Sequence, residues 1–146
     1  MAAVRRGAWV ALRYVTTLFF LGVIVQFFLV GIGLFGMKDG ATIDNAKSLN
    51  AHRDFGFILA DGGAILLLVL ALLAWPTPRK LLGAWILLAV LAFLQPALAD
   101  FHHQWVGMFH PVNALLLFGL SGRLAYYAWT AGREKAEPAP AVAPTG

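Results

Sequence analysis

His52, in NAHRDFG, and His110, in FHPVNALL, each stand where a polar stretch gives way to a long uncharged run. A neutral imidazole offers one lone pair to a metal, and two imidazoles at one level on facing helices can hold a single ion between them. Asp61 is the third group of interest, because it interrupts an otherwise apolar run from Phe55 to Trp75. Ionisable residues are costly in hydrocarbon, which makes all three functional candidates by default. His102 and His103 form a separate pair in DFHHQWVGMF, with no spacing that supports a zinc site.

The elements that must position these groups follow from composition. Only 12% of the 146 residues are charged and 60% are hydrophobic, whereas a soluble domain carries roughly 25% charged residues. A soluble monomer of this size has no interior large enough for so much apolar surface. The charges are clustered, and the runs between them match the roughly 20 helical residues that cross a bilayer. Four spans are expected, at about 12–37, 52–75, 80–99 and 110–130, within a transmembrane domain covering residues 1–133. The first run is too long for a signal peptide and has no small-residue cleavage site after it, so it reads as a retained span. The Pro- and Ala-rich segment 134–146 reads as a disordered cytoplasmic tail.

Short connections favour an all-α, up-down-up-down four-helix bundle with spans 2 and 4 diagonally opposed. An even number of spans puts both termini on one side, together with Arg5, Arg6, Arg13, Arg79, Lys80, Arg123, Arg133 and Lys135, against Lys38, Lys47 and Arg53 on the other. The positive-inside rule then makes both termini cytoplasmic. His52 and His110 open spans 2 and 4 at the same outer level, and Pro111 suits the first turn of its helix. Adjacent axes lie 8–10 Å apart, so diagonal axes are roughly 11–14 Å apart, enough for a flat macrocycle with an imidazole on either side. The expected cofactor is haem b, with His52 and His110 as its iron ligands.

Further residues fit this reading. On the helical stripe of His52 lie Gly56 and Gly63, which lack the bulk that would block a ring system. Arg53, Gln95 and Asn113 are candidates to tune or anchor the cofactor, and Arg53, Lys47, His102 and His103 lie on the outer side, where propionates want partners. Asp61 is expected to turn away from His52, toward a hydrogen bond with Gln26 of span 1. Trp75, Trp85, Tyr126, Tyr127 and Trp129 are expected to mark the inner interface, and Gly31, Gly33 and Gly36 to allow close helix approach. Pro96 is expected to kink span 3.

Several chemistries are excluded. Without Cys there is no thiol–disulfide exchange, iron–sulfur cluster, covalently attached haem or thiolate zinc site. No phosphate-binding glycine loop, HExxH or GxSxG occurs, no residue is assigned a catalytic role, and no feature points to nucleic acid.

The segments VIVQFFLVGIGLFG, His52-Arg53 with Phe55 and Gly56, LQPALA and HPVNALL together resemble a family of small bacterial four-span membrane proteins of unassigned function. More loosely, an HR pair opening one helix and a His opening the second helix after it are similar to one four-helix half of haem A synthase, which implies a haem site at His52 and His110. The expectation is a multi-pass protein of the bacterial cytoplasmic membrane, in electron transfer or haem handling beside a quinone or redox partner. The alternatives are a non-catalytic accessory subunit of a larger membrane complex, or a proton-coupled transporter using Asp61.

Overall fold

The computed structural model describes residues 1–43, 45–100 and 104–131. Among these the chain is all-helical and forms no strand. The helices are α1 (Ala2–Phe35), α2 (Asn50–Phe57), α3 (Ala64–Ala74), α4 (Arg79–Asp100), α5 (Gln104–Gly107) and α6 (Phe109–Thr130). A 3₁₀ turn, Lys47–Leu49, leads into α2, and a π-helical turn, Ile58–Gly63, joins α2 to α3. Four stretches are long and apolar enough to cross a membrane: Ala2–Phe35, Lys47–Ala74, Arg79–Asp100 and Trp105–Thr130.

The first helix begins at Ala2 rather than near residue 12, giving 34 residues and a length of about 50 Å. That exceeds a hydrocarbon core of about 30 Å, so the turns carrying Arg5 and Arg6 extend past it. The expected tail, 134–146, lies outside the described residues, as do His102 and His103.

Helix α1 packs against α3 and α6, and α4 packs against the same two. Spans 2 and 4 therefore face each other across the bundle, as do spans 1 and 3. Small residues set how closely the helices approach: a side chain on Gly33 would meet Leu49 Cδ2 at 2.4 Å and the Ser48 carbonyl oxygen at 3.0 Å. The core is built from Leu12, Phe19, Leu67, Leu88, Ala92, Leu117 and Leu124. The outward faces stay apolar, with Phe28, Ile32, Ile65 and Leu115 exposed, the surface that acyl chains would cover.

Trp85, expected at the inner interface, points into the bundle. It is fully buried, and its indole Nε1–H donates to Thr16 Oγ1 at 3.0 Å, across the bundle from span 3 to span 1. Thr16 in turn donates to the Leu12 carbonyl at 2.7 Å. A buried tryptophan needs an acceptor for its one donor, and the threonine supplies it. Trp9 and Tyr127 contact Trp85 edge-on, at 5.8 and 6.4 Å between ring centres. Trp129, by contrast, is exposed and stacks beneath the Arg13 guanidinium at 4.9 Å.

Candidate functional site: a polar layer at the His52–His110 pair

Each of the four spans contributes one polar side chain or more to a single layer. His52 stands in the first turn of α2 and His110 in the first turn of α6, where Pro111 costs no hydrogen bond because N–H groups of the first turn have no helical partner. Their rings meet across the bundle with centres 6.3 Å apart and planes at 80°. Span 1 brings Gln26, whose Nε2 donates to the His52 carbonyl at 3.1 Å. Span 3 brings Gln95, whose Nε2 donates to the His110 carbonyl at 3.1 Å.

The two rings are held differently. His110 Nδ1 lies 3.0 Å from the backbone carbonyl oxygen of Gln95. A carbonyl only accepts, so the proton of a neutral His110 sits on Nδ1 and the lone pair on Nε2. That lone pair faces the Gln95 amide nitrogen at 3.3 Å. Asn113 is buried beside it and donates to the Leu91 carbonyl at 2.8 Å and to Gln95 Oε1 at 2.5 Å. His52 Nδ1, in contrast, is buried without a hydrogen-bond partner among the described residues, and so is Gln26 Oε1.

Of the residues singled out in the sequence, His52, His110, Gln95 and Asn113 come together. The others turn elsewhere. Gly56 and Gly63 face span 1 rather than the gap between the imidazoles: a Cβ on Gly56 would meet Gln26 Nε2 at 2.9 Å, and one on Gly63 the Phe19 ring at 3.1 Å. The Arg53 guanidinium binds back onto the preceding loop, donating to the Ala46 carbonyl at 3.2 Å, to Asn50 Oδ1 at 3.1 Å and to the Ile43 carbonyl. Lys47 is exposed on the 3₁₀ turn.

Gln26 is the member that sequence reasoning assigned to another partner. It was expected against Asp61, whereas its amide reaches His52 and Asp61 is exposed, with no hydrogen bond or ion pair among the described residues. The physical reason is the π turn around Asp61. A π turn widens the helix and shifts its angular register, which a count at 100° per residue does not include. Depth counted along the run, about 16 Å from its outer end, put Gln26 level with Asp61 rather than with the histidines, so no signal in the residues pointed it to His52.

Among the described residues no three or more His, Cys, Asp or Glu converge. A centre held here by these side chains alone would rest on two imidazoles, which suits a group that brings its remaining ligands with it. Fold and site together define a protein with four membrane-length helices and a paired-histidine layer near one end of the bundle. Comparisons with protein-family models, with curated proteins and with solved structures return no match for this chain.

Proposed function

We propose that this chain is a small b-type cytochrome-like protein of the bacterial cytoplasmic membrane, an up-down-up-down bundle with both termini inside, in which His52 and His110 hold the iron of one haem b near the outer face. The observation that carries the proposal is the 6.3 Å between the two ring centres. Imidazole bonds to a first-row ion of about 2.0–2.1 Å, with about 1 Å more from each nitrogen to its ring centre, put two opposed rings about 6 Å apart. The buried, unpartnered His52 Nδ1 also supports a polar site that protein hydrogen bonds leave incomplete.

Bound haem would supply a one-electron couple, and the role is electron transfer or haem handling alongside a quinone or a membrane redox partner. The protein's part is to orient the ligands. Gln95 keeps the His110 proton on Nδ1 through its carbonyl, while its amide ties the His110 backbone. Ligation by Nε2 exchanges only the long contact to the Gln95 amide. Gln26 and Asn113 tie spans 1 and 4 to the same layer. Both imidazoles are half-buried, and partial burial raises the weight of each polar contact.

The test is the visible spectrum of protein purified from haem-sufficient cells. A Soret band with sharp reduced α and β bands is expected, and those sharp bands should vanish in both His52→Ala and His110→Ala. A colourless protein overturns the proposal. One observation favours a second reading, an accessory subunit: Asp61 is exposed on the membrane-facing surface of a π turn, a geometry often found at functional positions. Such a subunit would be colourless and would purify with a fixed partner.

A further inference from the structure

The two imidazoles of the layer have unequal support. His110 is fixed at three points: Nδ1 to the Gln95 carbonyl at 3.0 Å, its own carbonyl to the Gln95 amide at 3.1 Å, and Asn113, one turn on, to the Leu91 carbonyl at 2.8 Å. It also belongs to a helix that runs unbroken for 22 residues. Among the described residues, His52 is tied through its backbone carbonyl, to Gln26 at 3.1 Å, while its ring nitrogen Nδ1 is buried and has no hydrogen-bond partner there. Its helix is 8 residues long, between a 3₁₀ turn and a π turn.

These differences matter for ligation. An Nδ1–H donated to a carbonyl fixes the tautomer, orients the ring and makes Nε2 a better donor to a metal. A ring without that bond presents its lone pair only at the cost of a buried, unpaired N–H, and it turns more freely. Short segments between irregular turns also give more readily than a continuous helix.

We propose that His110 is the permanent ligand and His52 the displaceable one, so that the reduced site takes up a small diatomic ligand such as carbon monoxide on the His52 side. This rests on the haem reading above. The exchange breaks the iron–nitrogen bond to His52 and forms a bond to the carbon lone pair of the incoming molecule. The iron stays ferrous, an external reductant having supplied its electron beforehand, and the freed imidazole remains neutral.

The test uses the full chain in detergent, reduced with dithionite and titrated with carbon monoxide. The wild type should shift its Soret band and lose its low-spin α and β bands as His52 leaves. His52→Ala should keep haem in a five-coordinate, high-spin form and bind carbon monoxide faster, with added imidazole restoring the low-spin spectrum. His110→Ala should lose about 10- to 100-fold more haem affinity than His52→Ala, in line with what outer hydrogen bonds contribute to metal sites. A reduced wild type that ignores carbon monoxide, or equal haem loss in the two variants, overturns this inference and leaves the haem reading standing. A wild type without any Soret band overturns both. Should His110→Ala fail to fold, the wild-type titration and the imidazole rescue of His52→Ala still decide the matter.

Discussion

His110 Nδ1 lies 3.0 Å from the carbonyl oxygen of Gln95, the residue immediately before Pro96 inside α4. Pro96 has no N–H, so the Ala92 carbonyl one turn earlier lacks its usual donor and the helix is weakened locally. The neighbouring carbonyls on the stripe facing span 4, Leu91 and Gln95, accept from Asn113 and His110. A proline thus stands at the point where span 3 offers its backbone to side chains of span 4.

Replacing Gln95 tests how far that arrangement holds the two helices together. Gln95→Leu removes the amide donor to the His110 carbonyl and the acceptor that Asn113 uses, while the backbone bond to His110 Nδ1 survives. Interhelical hydrogen bonds in membranes contribute about 0.6 kcal/mol on average and up to about 1.7. A loss of about 1–2 kcal/mol is expected in unfolding titrations in mixed micelles, and a change below a few tenths would show that the amide does not hold the layer.

Trp85 and Thr16 form an asymmetric pair. Thr16→Val leaves the buried indole N–H without an acceptor and should cost about 1–3 kcal/mol. Trp85→Ala opens a cavity in the core and should cost about 3–5 kcal/mol. Thermal melts in detergent should rank the two in that order, with the Trp85 fluorescence maximum shifted in Thr16→Val.

Gly31 and Gly33 sit two residues apart on α1 and should respond oppositely to a methyl group. A Cβ on Gly33 collides with Leu49 and approaches the Ser48 backbone, so Gly33→Ala should destabilise by about 1–3 kcal/mol. Among the described residues nothing lies within 4 Å of a Cβ on Gly31, and Gly31→Ala there should stabilise by up to about 1 kcal/mol through helix propensity. Equal effects in a denaturation series would contradict the packing of span 1 on the 3₁₀ turn.

Asp61 makes no hydrogen bond or ion pair among the described residues. Asp61→Asn should therefore leave the unfolding free energy in mixed micelles within about 0.5 kcal/mol of the wild type, because no interhelical bond is lost and the side chain meets the apolar phase in the folded and the unfolded bundle alike. The visible spectrum should be unchanged as well. A changed spectrum would tie Asp61 to the histidine layer, whereas loss of a co-purifying protein would mark it as a contact of the accessory-subunit kind.

Arg53 should matter to the loop before span 2. Its guanidinium gathers the carbonyls of Ile43 and Ala46 together with Asn50 Oδ1. A lysine has no planar fork to span three acceptors, so Arg53→Lys should expose residues 37–43 to limited proteolysis while sparing the rest of the chain. Faster cleavage confined to that stretch is the expected pattern on a gel.

Four membrane-length helices and two histidines at one level were legible in the residues alone. Whether a segment is apolar enough to cross a bilayer is a sum over about 20 neighbours in sequence, and an even number of crossings brings the starts of spans 2 and 4 to the same end. The rotation of each helix about its own axis is a different kind of quantity. It depends on which side chains the neighbouring spans offer, and only the tertiary structure turned Gln26 to His52 rather than to Asp61, buried Trp85 on Thr16, and brought the Arg53 guanidinium onto the loop carbonyls. The inequality of the two imidazoles belongs there too, since it arises from a backbone carbonyl on a third helix that composition and spacing do not connect to His110.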